Sequence, residues 1–420
     1  MTHNQALKIL KLGHNVLLTG PAGSGKTFLL NQFIHHLKRS DASVGITAST
    51  GIAATHLGGT TIHSWAGFGI KDRASEMELR ELLRRPPLRR RLRSADVLII
   101  DEISMLHAGQ LDMADRILRL AREANLPFGG IQVVLCGDFF QLPPVSGGGA
   151  SEATGAYGSK VWPELNLQVC YLEEQHRQDD PELLKILEGI RCNCVSDRSL
   201  EILKKRMEAE LNAGFEPVKL YTHNFAVDDY NQKRLDEIDK KSHFYEMKAH
   251  GKKNLSDALK RGCLAPELLE LKKGASVMFV KNNFEAGYVN GTVGEVIDFD
   301  EENFPIVETT AGDHLVVTPV TWVIEDQNVI QAQISQLPLR LAWAVTVHKS
   351  QGMSLDAAEI DLSRSFVPGM GYVALSRVRA LSGLKLLGLN AMALQVDPRI
   401  VELDRELKDL SAACVLNLLG

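Results

Sequence analysis

The eight residues Gly20-Pro21-Ala22-Gly23-Ser24-Gly25-Lys26-Thr27 fit the pattern G-x-x-x-x-G-K-[ST] at every fixed position. They lie between the apolar run 16–18 and the stretch 28–33, where a strand gives way to a helix. Strand, glycine loop and helix in that order form one unit of a parallel sheet, so this segment restricts the fold more than any other. Glycines let the backbone wrap round phosphates, with successive N–H groups and the helix N-terminus facing negative charge. Lys26 reaches the outer phosphates, and Thr27 offers its hydroxyl to a magnesium ion. The pattern implies a nucleotide site without saying what the nucleotide drives.

A chain of 420 residues exceeds one ordinary core and predicts two or three domains. No apolar run reaches the length of a membrane span, and residues 1–6 lack a signal-peptide pattern, so a cytoplasmic location without membrane contact is expected. The six cysteines are scattered; only Cys192 and Cys194 are close, and a lone C-x-C pair is no zinc pattern, so all six are expected as reduced thiols. A net charge of -5 excludes a global basic field, which leaves any nucleic-acid binding local. The one strong basic run, Arg84 to Arg93, is broken by Pro86-Pro87. It reads either as a solvated helix face beside a kink or as a phosphate contact.

Along the chain, residues 4–12 form a short amphipathic helix carrying Gln5, whose amide either reads an adenine edge or simply faces solvent. The run 44–48 is a buried strand, followed by small hydroxyl and glycine residues that suit a sugar-phosphate backbone. Nearby, His63, Trp65 and Phe68 either stack on bases, at about 1–3 kcal/mol each, or are buried aromatics. The strand 97–100 ends in Asp101-Glu102; there Asp101 would hold magnesium and Glu102 would orient or deprotonate a water. A further strand, 131–136, leads to Gln141, placed to contact the γ-phosphate and the catalytic water. Three repeats of strand then helix indicate a parallel sheet covered on both faces. Residues 147–158 read as a mobile glycine-rich loop, helices are predicted near 181–190 and 200–211, and the strand 218–222 ends in His223. After the polar stretch 240–261, short strands over 274–323 suggest an inserted β-barrel. The α/β pattern resumes at 341–347, 355–362, 371–379 and 384–389, with a last helix over 398–410.

The ordered set 20–27, Asp101-Glu102-Ile103-Ser104-Met105, 137–145, His348-Lys349-Ser350-Gln351-Gly352 and Val373-Ala374-Leu375-Ser376-Arg377 resembles the motifs of superfamily 1B helicases. The Pif-type DNA helicases are most similar, and Pro127 to Gln132 resembles that family's own signature region. The resemblance implies an α/β fold of two RecA-like P-loop lobes with ATP and magnesium between them. The first lobe would span 1–63 and 94–170, with a wedge subdomain at 64–93. The second would span 171–240 and 325–420, with an SH3-like β-barrel inserted at 241–324.

It further implies that Arg177 and Arg377 reach the γ-phosphate from the second lobe, that Gln5 reads adenine, and that Gly352 joins the residues of 20–27 around ATP. Gly51, Thr60, His63, His348 and Lys349 would line a track for single-stranded DNA, with Trp65, Phe68, His223 and Asn290 alongside. The implied activity is ATP-dependent 5′ to 3′ translocation and unwinding of forked or tailed duplex, by a monomer, in DNA repair, recombination and telomere maintenance. The chain reads as a minimal bacterial-type helicase core. RecD-type helicases, an RNA-directed superfamily 1 helicase and an ATP-driven protein-remodelling switch are the rival readings.

Overall fold

The computed structural model describes residues 1–69, 73–144, 155–211, 216–222, 227–283, 285–326 and 329–419. His223 and most of the glycine-rich loop predicted at 147–158 therefore lie outside the described residues.

Six strands form the first sheet, in the order Thr60–Thr61, Val44–Ala48, Val97–Asp101, Gln132–Cys136, Val16–Thr19, Gln168–Tyr171, and every pairing is parallel. Side chains alternate across this sheet, as the two-residue strand period requires. Val16, Leu18, Ile99 and Val134 pack under the helices His3–Lys11 and Lys26–Arg39. Leu17, Leu98, Ile100 and Leu135 pack under Ala108–Arg122 on the opposite face. The fully apolar strand runs follow from burial on both faces.

A second parallel sheet takes the order Ala344–Thr346, Val218–Tyr221, Ala358–Leu362, Leu384–Leu389. The last helix, Pro398–Leu419, runs nine residues past its expected end. It returns to the first sheet: Leu407 and Cys414 join the two cores of that sheet, and Ser411 Oγ accepts from the Tyr171 N–H at 3.1 Å.

Between Tyr221 and Ala344 the chain builds three small antiparallel sheets. Near the end of the stretch expected as short strands over 274–323 lie two, His314–Val316 and Val320–Asp326, which belong to different sheets. Pro319 stands in the gap between them, where a proline cannot supply the ladder donor. The strands Val329–Gln336 and Leu339–Leu341 continue the same β-region beyond 324. The polar stretch after Lys240 is ordered as well, into strands His243–Glu246 and Lys248–Gly251 and the helix Lys253–Gly262.

Two further expectations need correction. Pro86-Pro87 does not kink a helix but begins one, Pro86–Ser94, because the first turn has no use for the missing N–H. Its arginines mostly serve the protein itself: Arg91 donates to Trp65 O, and Arg93 to Ala121 O and Glu123. Nor are all six cysteines free. Cys192 and Cys194 form a disulfide at the end of the helix Pro181–Arg191, where Asn193 takes φ 52° and brings the two Cα atoms to 5.2 Å. Cys136, Cys170, Cys263 and Cys414 remain thiols.

Candidate functional site

The C-terminal ends of both parallel sheets face one cleft of about 560 Å³, the place where open α/β sheets collect ligands. From the first sheet it receives Ala22, Gly23, Gly25, Lys26, Thr27, Asp101, Glu102 and Gln141. From the other side come His348, Lys349, Gly352 and Arg377, with Asn290 from the β-region.

The loop after Val16–Thr19 depends on its glycines. Gly23 and Gly25 have φ 87° and 79°, which side-chain-bearing residues rarely adopt. A Cβ on Gly20 would come within 2.4 Å of Leu172 O, so that position is closed to any side chain. Lys26 Nζ donates to the carbonyls of Gly20 and Pro21 at 2.8 and 2.9 Å, and burial lowers its pKa. Ser24 Oγ is buried with no hydrogen-bond partner. A cradle of backbone N–H groups, a lysine folded onto its own loop and an orphaned hydroxyl fit a polyphosphate. Thr27 and Asp101 are oxygen donors of the kind magnesium takes.

Beside the loop, burial raises the Asp101 pKa, and burial together with neighbouring Asp101 pushes Glu102 up to about 7. Glu102 has φ 51° and ψ 46°, a left-handed backbone for a non-glycine residue, of the sort that gathers at active sites. Gln351, from the second-sheet side, donates through Nε2 to Gln141 Oε1 at 3.0 Å and to Glu102 Oε2 at 3.4 Å. It thereby spans the cleft and ties two first-sheet groups together.

The two arginines converge from different origins. Arg377, 1% exposed, follows the helix Met370–Leu375 and donates to Val373 O and Ser376 Oγ. Arg177 does not come from the second sheet: it lies six residues beyond the first-sheet strand Gln168–Tyr171, on the segment packed against Gly23. Its guanidinium nevertheless docks on the other side, donating to Ser354 Oγ at 2.9 Å and Ser376 O at 3.1 Å. Burial lowers Arg177 to about 9, with Arg377 adding repulsion, and burial lowers Arg377 to about 10 against the attraction of Glu102. Two desolvated guanidiniums in one cleft call for an anionic partner.

Other predicted residues do not join the cleft. Gln5 accepts through Oε1 from the Thr2 N–H at 2.9 Å and caps its own helix. Pro21 and Ser24 support the loop from outside the cavity lining. Trp65 and Phe68 are 5% and 4% exposed; they fill the core instead of offering stacking faces. A Cβ on Gly45 would lie 2.6 Å from the Trp65 ring, so the missing side chain there makes room for the indole. Gly51 does not line an open track either, since its Cα side abuts Gly262 in the β-region, where an added Cβ would meet backbone at 2.8 Å. Thr60 stands on the edge strand and His63 follows it, edge-on to Phe68 at 5.7 Å. Their strand is four places from Val16–Thr19, about 19 Å. Lys349 and Asn290 do line the cleft: Lys349 Nζ lies 3.7 Å from Asp228, and Asn290 is 6% exposed with its Oδ1 unpartnered.

Sequence reasoning missed the buried group beneath the cleft. Arg191 Nη1 donates to Asp138 at 3.0 Å and to the Tyr372 hydroxyl at 3.0 Å, while Nη2 donates to Asp404 and to the Tyr171 hydroxyl. The Tyr372 hydroxyl also accepts from the Ala22 N–H at 2.9 Å and donates to Asp138. Burial alone would lower Arg191, but Asp138 and the other partners hold it above its ordinary range. Its sequence setting, one arginine late in an amphipathic helix, carries no sign of this role.

Residues 4–186 match the family model "PIF1-like helicase", and residues 254–299 match "DNA helicase Pif1, 2B domain". The ATP-dependent DNA helicase Pif1 of Psychrobacter is 43% identical, over 98% of this chain and 71% of its own length. Its counterpart from Xenopus laevis is 39% identical over 93% of the chain, which spans only 61% of that relative. Pif1 of Bacteroides, 30% identical with 97% of both chains covered, superposes with a TM-score of 0.80 when unliganded and 0.63 when bound to single-stranded DNA.

Proposed function

The chain belongs to the Pif1-like helicase family, and on that premise we propose how its own residues perform ATP-dependent DNA unwinding. One observation carries the reading: Lys26, Glu102 and Gln141 from the first sheet face Arg377 across a single cleft, with Gln351 joining the sides. Hydrolysis built from two sides can depend on their closure.

Lys26 leaves the Gly20 and Pro21 carbonyls for the outer phosphates, which the N–H groups of 22–27 hold in place. Thr27 and Asp101 would hold magnesium, which when bound would neutralise phosphate charge. Gln141 and Gln351 position the attacking water, and Glu102 accepts its proton; a buried carboxylate raised toward neutrality suits that task. Arg177 and Arg377 stabilise the charge on the γ-phosphate, a contribution worth about 10³ to 10⁵ in rate when an arginine is supplied across a cleft. Gly352, which lines the cleft, completes the nucleotide site.

Thr60, His63, His348, Lys349 and Asn290 lie along the single-strand track, and movement runs 5′ to 3′. Residues 64–93 act as the wedge, and 241–324, continued by the strands up to Leu341, as the SH3-like subdomain. The enzyme works as a cytoplasmic monomer.

Polarity is tested with duplexes carrying a 5′ or a 3′ single-stranded tail, alongside ATP turnover with and without dT oligomers. Stimulated turnover and unwinding of the 5′-tailed duplex alone are expected. Turnover indifferent to dT oligomers would sink the helicase reading, and unwinding from the 3′ tail would reverse the polarity.

A further inference from the structure

At the rim of the nucleotide loop, three side chains not used above point at one another. Among the described residues, His3, Glu174 and His176 form the one His/Cys/Asp/Glu group whose donor atoms all lie within 4.8 Å. His3 Nδ1 is 3.5 Å and His176 Nε2 3.4 Å from the same carboxylate oxygen, Glu174 Oε2. A tetrahedral ion with bonds of 2.0–2.2 Å holds its ligand atoms roughly 3.4 Å apart, so two edges of such a site already have the right length.

A second observation fixes the chemistry of His3. Its Nε2 lies 2.8 Å from Ser24 O, and a carbonyl can only accept, so Nε2 carries the hydrogen. In the neutral ring the lone pair is then on Nδ1, aimed at Glu174 and His176. A metal-bound histidine is oriented in this way, its other nitrogen donating to a backbone carbonyl. The His3 and His176 rings are stacked, with centroids 4.9 Å apart, and His176 is half exposed, so the third edge can close by rotation of one ring.

We propose that His3, Glu174 and His176 bind a divalent transition-metal ion of the zinc type, with solvent at the fourth position. Two imidazoles and one carboxylate favour zinc over magnesium, which takes oxygen. The ion would join the first helix to the segment leading into Arg177. It would also hold both rings over Gly25, where an added Cβ would meet His3 at 2.6 Å and His176 at 3.3 Å. The site is separate from the magnesium ligands and stands whether or not the chain unwinds DNA.

The probe is Co²⁺, added to the nucleotide-free full chain and followed by visible absorption, with displacement by Zn²⁺. The wild type is expected to take up one Co²⁺ with the intense visible bands of a tetrahedral ion, and Zn²⁺ to raise its melting temperature, as any ligand bound only by the folded state does. His3→Ala and Glu174→Gln should weaken binding at least tenfold and abolish the melting shift, while His250→Ala, at an exposed histidine elsewhere, behaves as wild type. Glu174→Gln alters one exposed atom and keeps the fold, so it separates lost ligation from lost structure. Equal Co²⁺ affinity in wild type, His3→Ala and Glu174→Gln would overturn the assignment, as would the absence of tetrahedral bands from all of them.

Discussion

Glu102 is held in a left-handed backbone beside Asp101, its side chain within reach of Gln351 from across the cleft. Glu102→Gln keeps the shape and removes the base, so ATP and single-stranded DNA should still bind while turnover falls by about 10² to 10⁴. Nucleotide binding by fluorescence and steady-state ATP turnover check both halves. Arg377→Ala should retain nucleotide and lose about 10³ or more in DNA-stimulated turnover, the scale of an arginine supplied across a cleft; near-normal rates would remove it from the mechanism. His56, on the cleft wall, has a different consequence. Burial lowers its imidazole to about 4 from 6.5. Between these values the unfolded chain binds a proton that the folded chain refuses, so this contribution is intact above pH 6.5 and declines as pH falls toward 4. Melting temperature should drop across that window, and His56→Gln should flatten the drop.

Elements built from strong local patterns were legible before any coordinates. The strand–loop–helix around 16–39 and the strands ending at Asp101 and Cys136 follow from apolar runs bounded by glycine and polar residues. The aromatics after Thr60 were ambiguous because local pattern is blind to the opposite strand: Trp65 is buried only because Gly45 leaves a gap for it. The β-region was harder still. Its strands pair across long separations, as Lys248–Gly251 does with Val329–Gln336, and a polar edge strand resembles a loop. Gly262 has a similar lesson. It ends the helix Lys253–Gly262 against Gly51, and the Thr55 hydroxyl donates to its carbonyl at 3.2 Å. Gly262→Val would place a Cβ 2.7 Å from Gly51 O. Relieving that overlap should cost about 1–3 kcal/mol of docking, visible as faster tryptic cleavage at Lys260 and Arg261; unchanged cleavage would show that the contact holds nothing in place.

Across the whole molecule, the two sheets are joined beneath the cleft by Arg191, Asp138, Tyr372, Tyr171 and Asp404. Asp138 is 1% exposed, so Arg191→Met leaves a buried carboxylate without its cation. A loss of about 3–5 kcal/mol in stability is expected from denaturant unfolding, and adding Asp138→Asn should restore part of it, because the two positions share one interaction. Since Tyr372 also accepts from the Ala22 N–H, the same network links the second sheet to the nucleotide loop. The arrangement superposes better on the unliganded Bacteroides relative than on the one bound to single-stranded DNA.

The chemistry of the nucleotide loop, the carboxylate pair and the parallel-sheet class was written locally, in residues whose spacing alone dictates backbone shape and charge. Tertiary packing decided what spacing cannot encode. It buried Trp65 and Phe68, closed Gly51 against Gly262, folded the last helix back onto the first sheet, and placed Arg177 on a first-sheet segment with its charge on the second. Each of these depends on which distant surfaces meet, and burial and pairing energies are set there and not along the chain.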